Sequence, residues 1–138
     1  MVQIRGSGIT QNVNVALVDD NQRLFVNAVI DSATATLNVQ TSAYVSGLVV
    51  VASSGNLVEL RGYNSGPAQW VHIFDSPTVP ADTTVPVEII KVPSDANFYI
   101  NPPGTKAFVS GISVANSLSG AELVIGAADC WFEADYTL

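Results

Sequence analysis

The sequence is short of charged residues. Only 12% of its 138 residues are charged, whereas 48% are hydrophobic, and a typical soluble domain has about 25% charged residues. A chain this apolar is not a disordered one. Monomers rarely leave large apolar patches open to water. We therefore expect a homo-oligomer or a subunit of an assembly, covered in part by its neighbours.

Basic residues are scarce as well. The chain has 12 acidic and 5 basic residues, for a net charge of -7. Nucleic-acid binding requires a basic patch. The basic residues are instead scattered along the chain: Arg5, Arg23, Arg61, Lys91 and Lys106. We therefore do not expect DNA or RNA as a partner.

Cysteine and long apolar runs are also nearly absent. Cys130 is the single cysteine, so no intrachain disulfide and no cysteine-rich zinc site can form. The longest apolar run, residues 48–52, is far too short to cross a membrane, and the N-terminus lacks the apolar core of a signal peptide. We expect synthesis in a cytoplasm and no membrane partner.

Strand patterns dominate what is present. No segment has a helical period, and short alternating runs recur between turn residues, which is typical of a sandwich or jelly roll. The sequence predicts an all-β fold, an antiparallel β-sandwich or jelly-roll-like domain with an extended N-terminal β arm. The predicted strands include residues 57–61 with Val58 and Leu60 on one face, 69–75, 85–92, 97–101, a strand in which Phe108, Ser110, Ile112 and Val114 alternate, 122–125 and 130–136.

The chain divides by texture into residues 1–41, an N-terminal arm and β-hairpin region, and residues 42–138, a β-sandwich domain. Two alternating runs around the turn at residues 19–21 predict a hairpin. The opening third has one bulky aromatic residue, Phe25, and therefore little core of its own. Either it pairs with another subunit, or it supplies the first strands of one sandwich.

The stretch from Gly62 to Asp75 is the centre of this pattern. A turn at Asn64–Pro67 precedes a strand in which Trp70, His72 and Phe74 share one face. Both faces of that strand are largely apolar, as expected for a central strand. In the last predicted strand, Cys130, Phe132, Ala134 and Tyr136 form the core face, and Asp129, Trp131, Glu133 and Asp135 form the other.

No catalytic or cofactor motif is present. His72 is the only histidine, and its candidate nucleophiles, Ser113 and Ser65, lack the context of a nucleophile elbow. We expect the His72 ring to pack beside Trp70 and Phe74 with a backbone partner for its N–H. The acidic face of the last strand is interpreted as solvated. The chain is therefore not predicted to be an enzyme, and no metal or cofactor is expected.

Tryptophan favours a contact role. Trp70 or Trp131 could form a sugar-binding platform, but Trp is also typical of interface hot spots. An arm that reaches a neighbour and an outward Trp on the last strand together give the predicted interface residues: Ile4, Arg5, Ile9, Phe25 and Trp131.

From Gly62 onward the chain resembles a family of small virion structural proteins of tailed bacteriophages. The resemblance is carried by an ordered set of pieces over roughly the C-terminal half: Gly62-Tyr63-Asn64-Ser65, Gln69-Trp70-Val71-His72-Ile73-Phe74-Asp75, Val79-Pro80-Ala81-Asp82, Val85-Pro86, Asn97-Phe98, Gly111-Ile112-Ser113-Val114-Ala115-Asn116-Ser117 and Ala128-Asp129-Cys130-Trp131-Phe132. The N-terminal third departs from that pattern.

The resemblance implies a non-enzymatic all-β building block of the virion, made in the host cytoplasm. It points to a capsid decoration (cement) protein that binds the major capsid protein and stabilises the head. A homotrimer fits the three-fold positions of a capsid lattice. The alternatives are a tail, baseplate or fibre component and, from another class, a carbohydrate-binding module.

Overall fold

The computed structural model describes residues 12–16, 25–29, 34–102 and 104–138. The chain forms two compact units, Met1–Ala33 and Thr34–Leu138. In the first unit, β1 (Asn12–Ala16) pairs antiparallel with β2 (Phe25–Val29). The register sets Val13 opposite Ala28 and Val15 opposite Val26. This register pairs two of the alternating runs that predicted a hairpin.

The second unit contains nine strands. They are β3 (Leu37–Gln40), β4 (Gly47–Val51), β5 (Gly55–Asn64), β6 (Gln69–Asp75), β7 (Glu88–Val92), β8 (Ala96–Ile100), β9 (Lys106–Phe108), β10 (Ile112–Ser117) and β11 (Cys130–Thr137). Sheet I has the order β4-β10-β6-β7, and sheet II has the order β3-β11-β5-β8 with β9 also paired to β5. All pairs are antiparallel.

The all-β, antiparallel prediction is confirmed. Across the described ranges there is no helix, and hence none that is long and apolar enough to cross a membrane. The jelly-roll connectivity and the extended arm stay predictions. The strand formed by Leu37–Gln40 pairs with β11 and belongs to the second unit, although the sequence analysis placed it in the arm and hairpin region.

The core lies between the two sheets. It joins inward side chains of sheet I to those of sheet II: Val50, Val71, Ile73, Val92, Ile112 and Val114 from the first, and Leu57, Leu60, Phe98, Phe108, Cys130, Phe132 and Ala134 from the second. Gly62 has Phe132 and Phe98 as its cross-strand neighbours. Their rings meet edge to face with centroids 5.8 Å apart. A Cβ at Gly62 would overlap the Phe98 ring and the Trp131 carbonyl.

A β-bulge changes which residues of the strand predicted at 57–61 face the core. The pairing of β11 with β5 shifts register between Asp135 and Tyr136, which leaves Val58 without a partner. The extra residue reverses the alternation, so Leu57 and Leu60 are both buried while Val58 is only half-buried. The prediction that Val58 and Leu60 share a face is therefore wrong, and the strand is longer than residues 57–61.

The predicted strand through Phe108 and Ile112 is two strands in different sheets. β9 lies in sheet II, and β10 lies in sheet I. The crossing needs Gly111, whose φ is 156° and whose Cβ, if present, would lie 2.7 Å from the Pro77 Cα. Asp75 accepts the Ser110 N–H at 2.7 Å and the Gly111 N–H at 3.4 Å. These amides, Ser110 first, lower the pKa of the Asp75 carboxyl group.

The Gly62–Asp75 stretch links the two sheets. β5 of sheet II ends at Asn64, and β6 of sheet I begins at Gln69, so the predicted turn is the passage between the layers. β6 lies between β10 and β7, which confirms the prediction of a central strand.

Two other predicted strands are shorter than expected. Pro86 precedes β7, which starts only at Glu88. In the segment predicted as a strand at 122–125, Ile125 alone forms a bridge, to Ser117.

Candidate interaction face

The outer face of sheet II is built by alternation along β11. Cys130, Phe132 and Ala134 are fully buried, as predicted, so their neighbours Trp131, Glu133 and Asp135 lie on the opposite side. The register extends this outer face across the sheet. Trp131 is opposite Tyr63, Glu133 is opposite Arg61, and Asp135 is opposite Glu59.

Arg61 is the centre of an ion-pair cluster on this face. Its guanidinium contacts the carboxylates of Glu59, Glu133 and Asp135. The Nε donates to Glu133 Oε2 at 2.9 Å, and Nη1 donates to Asp135 Oδ2 at 3.4 Å. From β3, Asn38 Nδ2 donates to Glu133 Oε1 at 3.0 Å and to Asp135 Oδ1 at 2.6 Å. Five side chains on three strands therefore hold one another in fixed positions.

The electrostatics of the cluster follow from these contacts. Hydrogen bonding to Glu133 raises the pKa of Arg61, and the guanidinium lowers the pKa of the Glu133 carboxyl group. Three carboxylates surround one guanidinium, so the cluster keeps a net negative charge at neutral pH. The groups are partly exposed, and their pairing therefore adds little stability. Its effect is to fix the side chains before any partner arrives.

Aromatic side chains flank the cluster. Trp131 is half-buried, and its Nε1 donates to the Thr41 carbonyl at 2.8 Å. Tyr99 is 53% exposed, and its hydroxyl donates to Glu59 Oε2 at 3.1 Å. We call this surface the aromatic–acidic face: Asn38, Glu59, Arg61, Tyr63, Tyr99, Trp131, Glu133 and Asp135.

Of the predicted interface residues, Trp131 lies on the aromatic–acidic face. Phe25 opens β2, and Ile4, Arg5 and Ile9 lie outside the described residues. Sequence reasoning missed Arg61, Tyr63 and Tyr99. The alternation Glu59-x-Arg61-x-Tyr63 was visible, but its pairing with β11 depends on a register that the sequence does not state.

The candidate nucleophiles do not meet the histidine. Ser113 Oγ donates to the Thr78 carbonyl at 2.9 Å, and Ser65 Oγ donates to the Asp129 carbonyl at 2.9 Å. The His72 ring does pack edge to face on Phe74, with centroids 5.9 Å apart. Neither of its nitrogens makes a hydrogen bond of good geometry, but the Ser119 backbone interacts with the ring and raises its pKa, so the backbone partner expected for its N–H stays a prediction.

Cys130 is the single thiol of the chain, and it is buried. Burial, with a smaller contribution from Asp129, raises the pKa of the Cys130 thiol to about 12. The sulfur is therefore a protonated core atom at neutral pH. Within residues 34–102 and 104–138, and in the two strands of the first unit, no three His, Cys, Asp or Glu side chains are grouped so that they could hold a metal ion.

No family model, curated protein or solved structure matches this chain. Function is therefore inferred from the chemistry of the aromatic–acidic face and from the sequence. That face combines a large aromatic area with hydrogen-bonding groups that are already fixed, which suits recognition of another molecule.

Proposed function

We propose that the protein is a structural subunit of a tailed-bacteriophage virion, a capsid decoration protein that binds the major capsid protein through the aromatic–acidic face. The observation that carries this proposal is the composition of the outer face of sheet II. It brings Trp131, Tyr63, Tyr99 and Arg61 together on four neighbouring positions of the sheet. Trp, Tyr and Arg are the residue types most enriched at interface hot spots.

The fixed geometry of this face favours tight association. Binding ordinarily costs about 0.5–1.5 kcal/mol for each flexible side chain that becomes ordered. Here Arg61, Glu133 and Asp135 are already held by one another and by Asn38. Their net negative charge favours a partner surface that presents basic or hydrogen-bond-donating groups.

Exposed apolar residues elsewhere supply further contact area. Val85 is 73% exposed, Leu118 is 66% exposed and Val109 is 81% exposed. A subunit surrounded by capsid proteins and by its own copies buries such residues, at about 25 cal/mol per Å² before entropic costs. We propose a homotrimer, since closed three-fold symmetry fits a lattice position. Size-exclusion chromatography with light scattering measures the oligomer directly.

A binding assay on capsids tests the proposal. Virion heads stripped of the protein are mixed with the purified chain, sedimented, and the bound fraction is measured. We expect Tyr99→Ala to weaken binding at least tenfold, because it removes an exposed aromatic contact from the face. Thr105→Ala is exposed and lies off this face, so it serves as the matched control. Equal binding of both variants at the wild-type level would overturn the role of the face.

Location in the virion separates the head from the tail. Immunogold labelling of intact virions should decorate the head. Label confined to the tail would replace the decoration role by that of a tail, baseplate or fibre component, the second structural alternative.

One observation favours a different class of function. Trp131 and Tyr63 are cross-strand neighbours, beside carboxylates and a guanidinium that can bond to pairs of hydroxyl groups. A carbohydrate-binding module could use this arrangement. Glycan-array binding that is lost in Trp131→Ala would support that function, and a flat response across glycans would remove it.

A further inference from the structure

The outer face of sheet I is covered by the chain itself. Two segments, residues 76–84 and residues 118–125, lie over it, and we call them the covering clamp. They are bonded to each other: Thr83 N–H donates to Leu123 O at 2.7 Å, and Leu123 N–H donates to Thr84 O at 2.8 Å. The Ile125 N–H donates to Asp82 Oδ1 at 2.8 Å.

Two buried serines of β10 anchor the clamp to the sheet. Ser113 Oγ donates to the Thr78 carbonyl at 2.9 Å. Ser117 Oγ donates to the Ser119 carbonyl at 2.8 Å and accepts the Val124 N–H at 3.0 Å. Backbone bonds add to these anchors: the Ser76 N–H donates to the Gly111 carbonyl at 3.0 Å, and Ile125 forms a bridge with Ser117.

A small apolar cluster lies between the clamp and the sheet. It contains Phe74, Ala115 and Leu123, with Val79 packed against it, and it is separate from the main core. Gly120 lies against the Trp70 ring, so closely that a Cβ there would be 2.9 Å from the nearest ring atom. The clamp therefore covers the aromatic side of β6.

His72 lies beneath this cover. Its side chain is 0% exposed, and it is opposite Ala115 in the register. Neither ring nitrogen makes a hydrogen bond of good geometry, and the Ser119 backbone in the clamp offsets the burial of the ring only in part. A buried polar group without a good partner is destabilising, and a buried charge without a partner is far more so. The site therefore tolerates the neutral imidazole and does not suit the imidazolium.

We propose that His72 makes the covering clamp acid-sensitive, so that protonation of the ring opens residues 118–125 and exposes the Trp70 and Phe74 side of sheet I. The main core on the other side of the sheet has no such group and remains closed. This inference does not depend on which partner the aromatic–acidic face binds.

No neighbouring charge compensates a protonated ring. On β7, Lys91 lies over the Trp70 ring, 5.7 Å from its centroid, and adds positive charge. In the clamp, Asp82 already accepts the Ile125 N–H, and Glu122 is exposed. β10 carries no charged residue. Among the described residues, the His72 side of β6 thus offers the imidazolium no carboxylate partner.

The direction of the effect follows from linkage. Burial lowers the pKa of His72, and the backbone of Ser119 opposes this only in part. In an open clamp the ring regains its ordinary pKa of about 6.5. Above that pH both forms are neutral and the clamp is fully stable. Below it the open form binds the proton preferentially, so the opening constant should rise about tenfold per pH unit until the closed-form pKa is reached.

Two measurements on the full chain test the proposal. Because His72 is the only histidine, its imidazole signal can be followed by NMR without ambiguity, and it should titrate below pH 6.5. Hydrogen exchange between pH 7.5 and 5.5, corrected for intrinsic rates, should show faster opening at the amides of Leu123, Val124 and Ile125. The amides of β11 report on the main core and should not follow them.

His72→Phe removes the titration and keeps an aromatic ring in the site, so clamp exchange should lose its excess pH dependence. His72→Gln, which stays neutral, gives the same readout if the Phe variant does not fold. The proposal is overturned if the variant keeps the wild-type pH dependence, if β11 opens in parallel with the clamp, or if His72 titrates at or above pH 6.5.

Discussion

Replacement of Asn64 by alanine should destabilise the sandwich strongly, because this side chain holds the passage between the sheets. Asn64 is fully buried at the end of β5. Its Nδ2 donates to the carbonyls of Pro67 and Pro93, both at 2.8 Å. Its Oδ1 accepts the Gly66 N–H at 3.0 Å and Gln69 Nε2 at 2.6 Å.

The magnitude follows from the bonds that are lost. Asn64→Ala removes all four, and each is worth about 1 kcal/mol net. The buried Gln69 amide then retains only Cys130 Sγ, at 3.5 Å, as an acceptor for Nε2. An unsatisfied buried donor adds about 1 kcal/mol or more. We expect a loss of about 4–5 kcal/mol, which corresponds to a fall in Tm of about 20 °C for a unit of this size.

Urea unfolding of the two variants Asn64→Ala and Ser65→Ala measures the difference. Ser65 lies in the same turn, but its exposed Oγ makes one bond, to the Asp129 carbonyl. Its removal should cost about 0.5–1 kcal/mol. If Asn64→Ala costs no more than Ser65→Ala, then the buried amide network does not hold the passage and the reasoning is refuted.

Three further predictions concern tightly packed positions of the core and of the crossing between the sheets. Gly62→Ala should destabilise by at least about 3 kcal/mol in thermal unfolding, because overpacking forces the Phe98 ring and the β11 backbone apart; an unchanged Tm would contradict this. Cys130 should resist thiol reagents at pH 8 and react only on opening of the sandwich, since its pKa is about 12; fast labelling of the folded protein would contradict burial. Gly111→Ala should destabilise the chain, because the new Cβ would lie 2.7 Å from the Pro77 Cα and because residues with a side chain rarely adopt a φ of 156°. A wild-type unfolding midpoint would show that the crossing adapts.

Alternation along single strands was enough to predict part of this molecule. In β11 the buried residues alternate with period 2 from Cys130 to Ala134, so this buried set followed from the sequence. The turn before β6 followed from Asn64, Gly66 and Pro67. The central position of β6 followed from apolar residues on both of its faces, which the main core covers on one side and the covering clamp covers on the other.

Alternation failed where a bulge inserts an extra residue into a strand and where the chain crosses from one sheet to the other. The bulge at Val58 inserts one residue, which depends on pairing with a strand far away in the chain. Gly111 interrupts a run that alternates without a break in the sequence. The polar core was missed for a related reason: Asn116 donates to Gln69 at a separation of 47 residues, and hydropathy alone would place both amides in solvent. The aromatic–acidic face likewise needed the register of four strands, β3, β5, β8 and β11.

The pairing of β3 with β11 has a mechanical consequence. Leu37, at the start of β3, is opposite Tyr136, near the end of β11. The two strands are antiparallel, so the backbone enters and leaves the sandwich at the same end of sheet II. A load applied between Thr34 and Leu138 would act on the Leu37–Tyr136 pair first and then separate the ladder pair by pair. The four residues of β3 would peel away at low force while the pairing of β11 with β5 stayed intact.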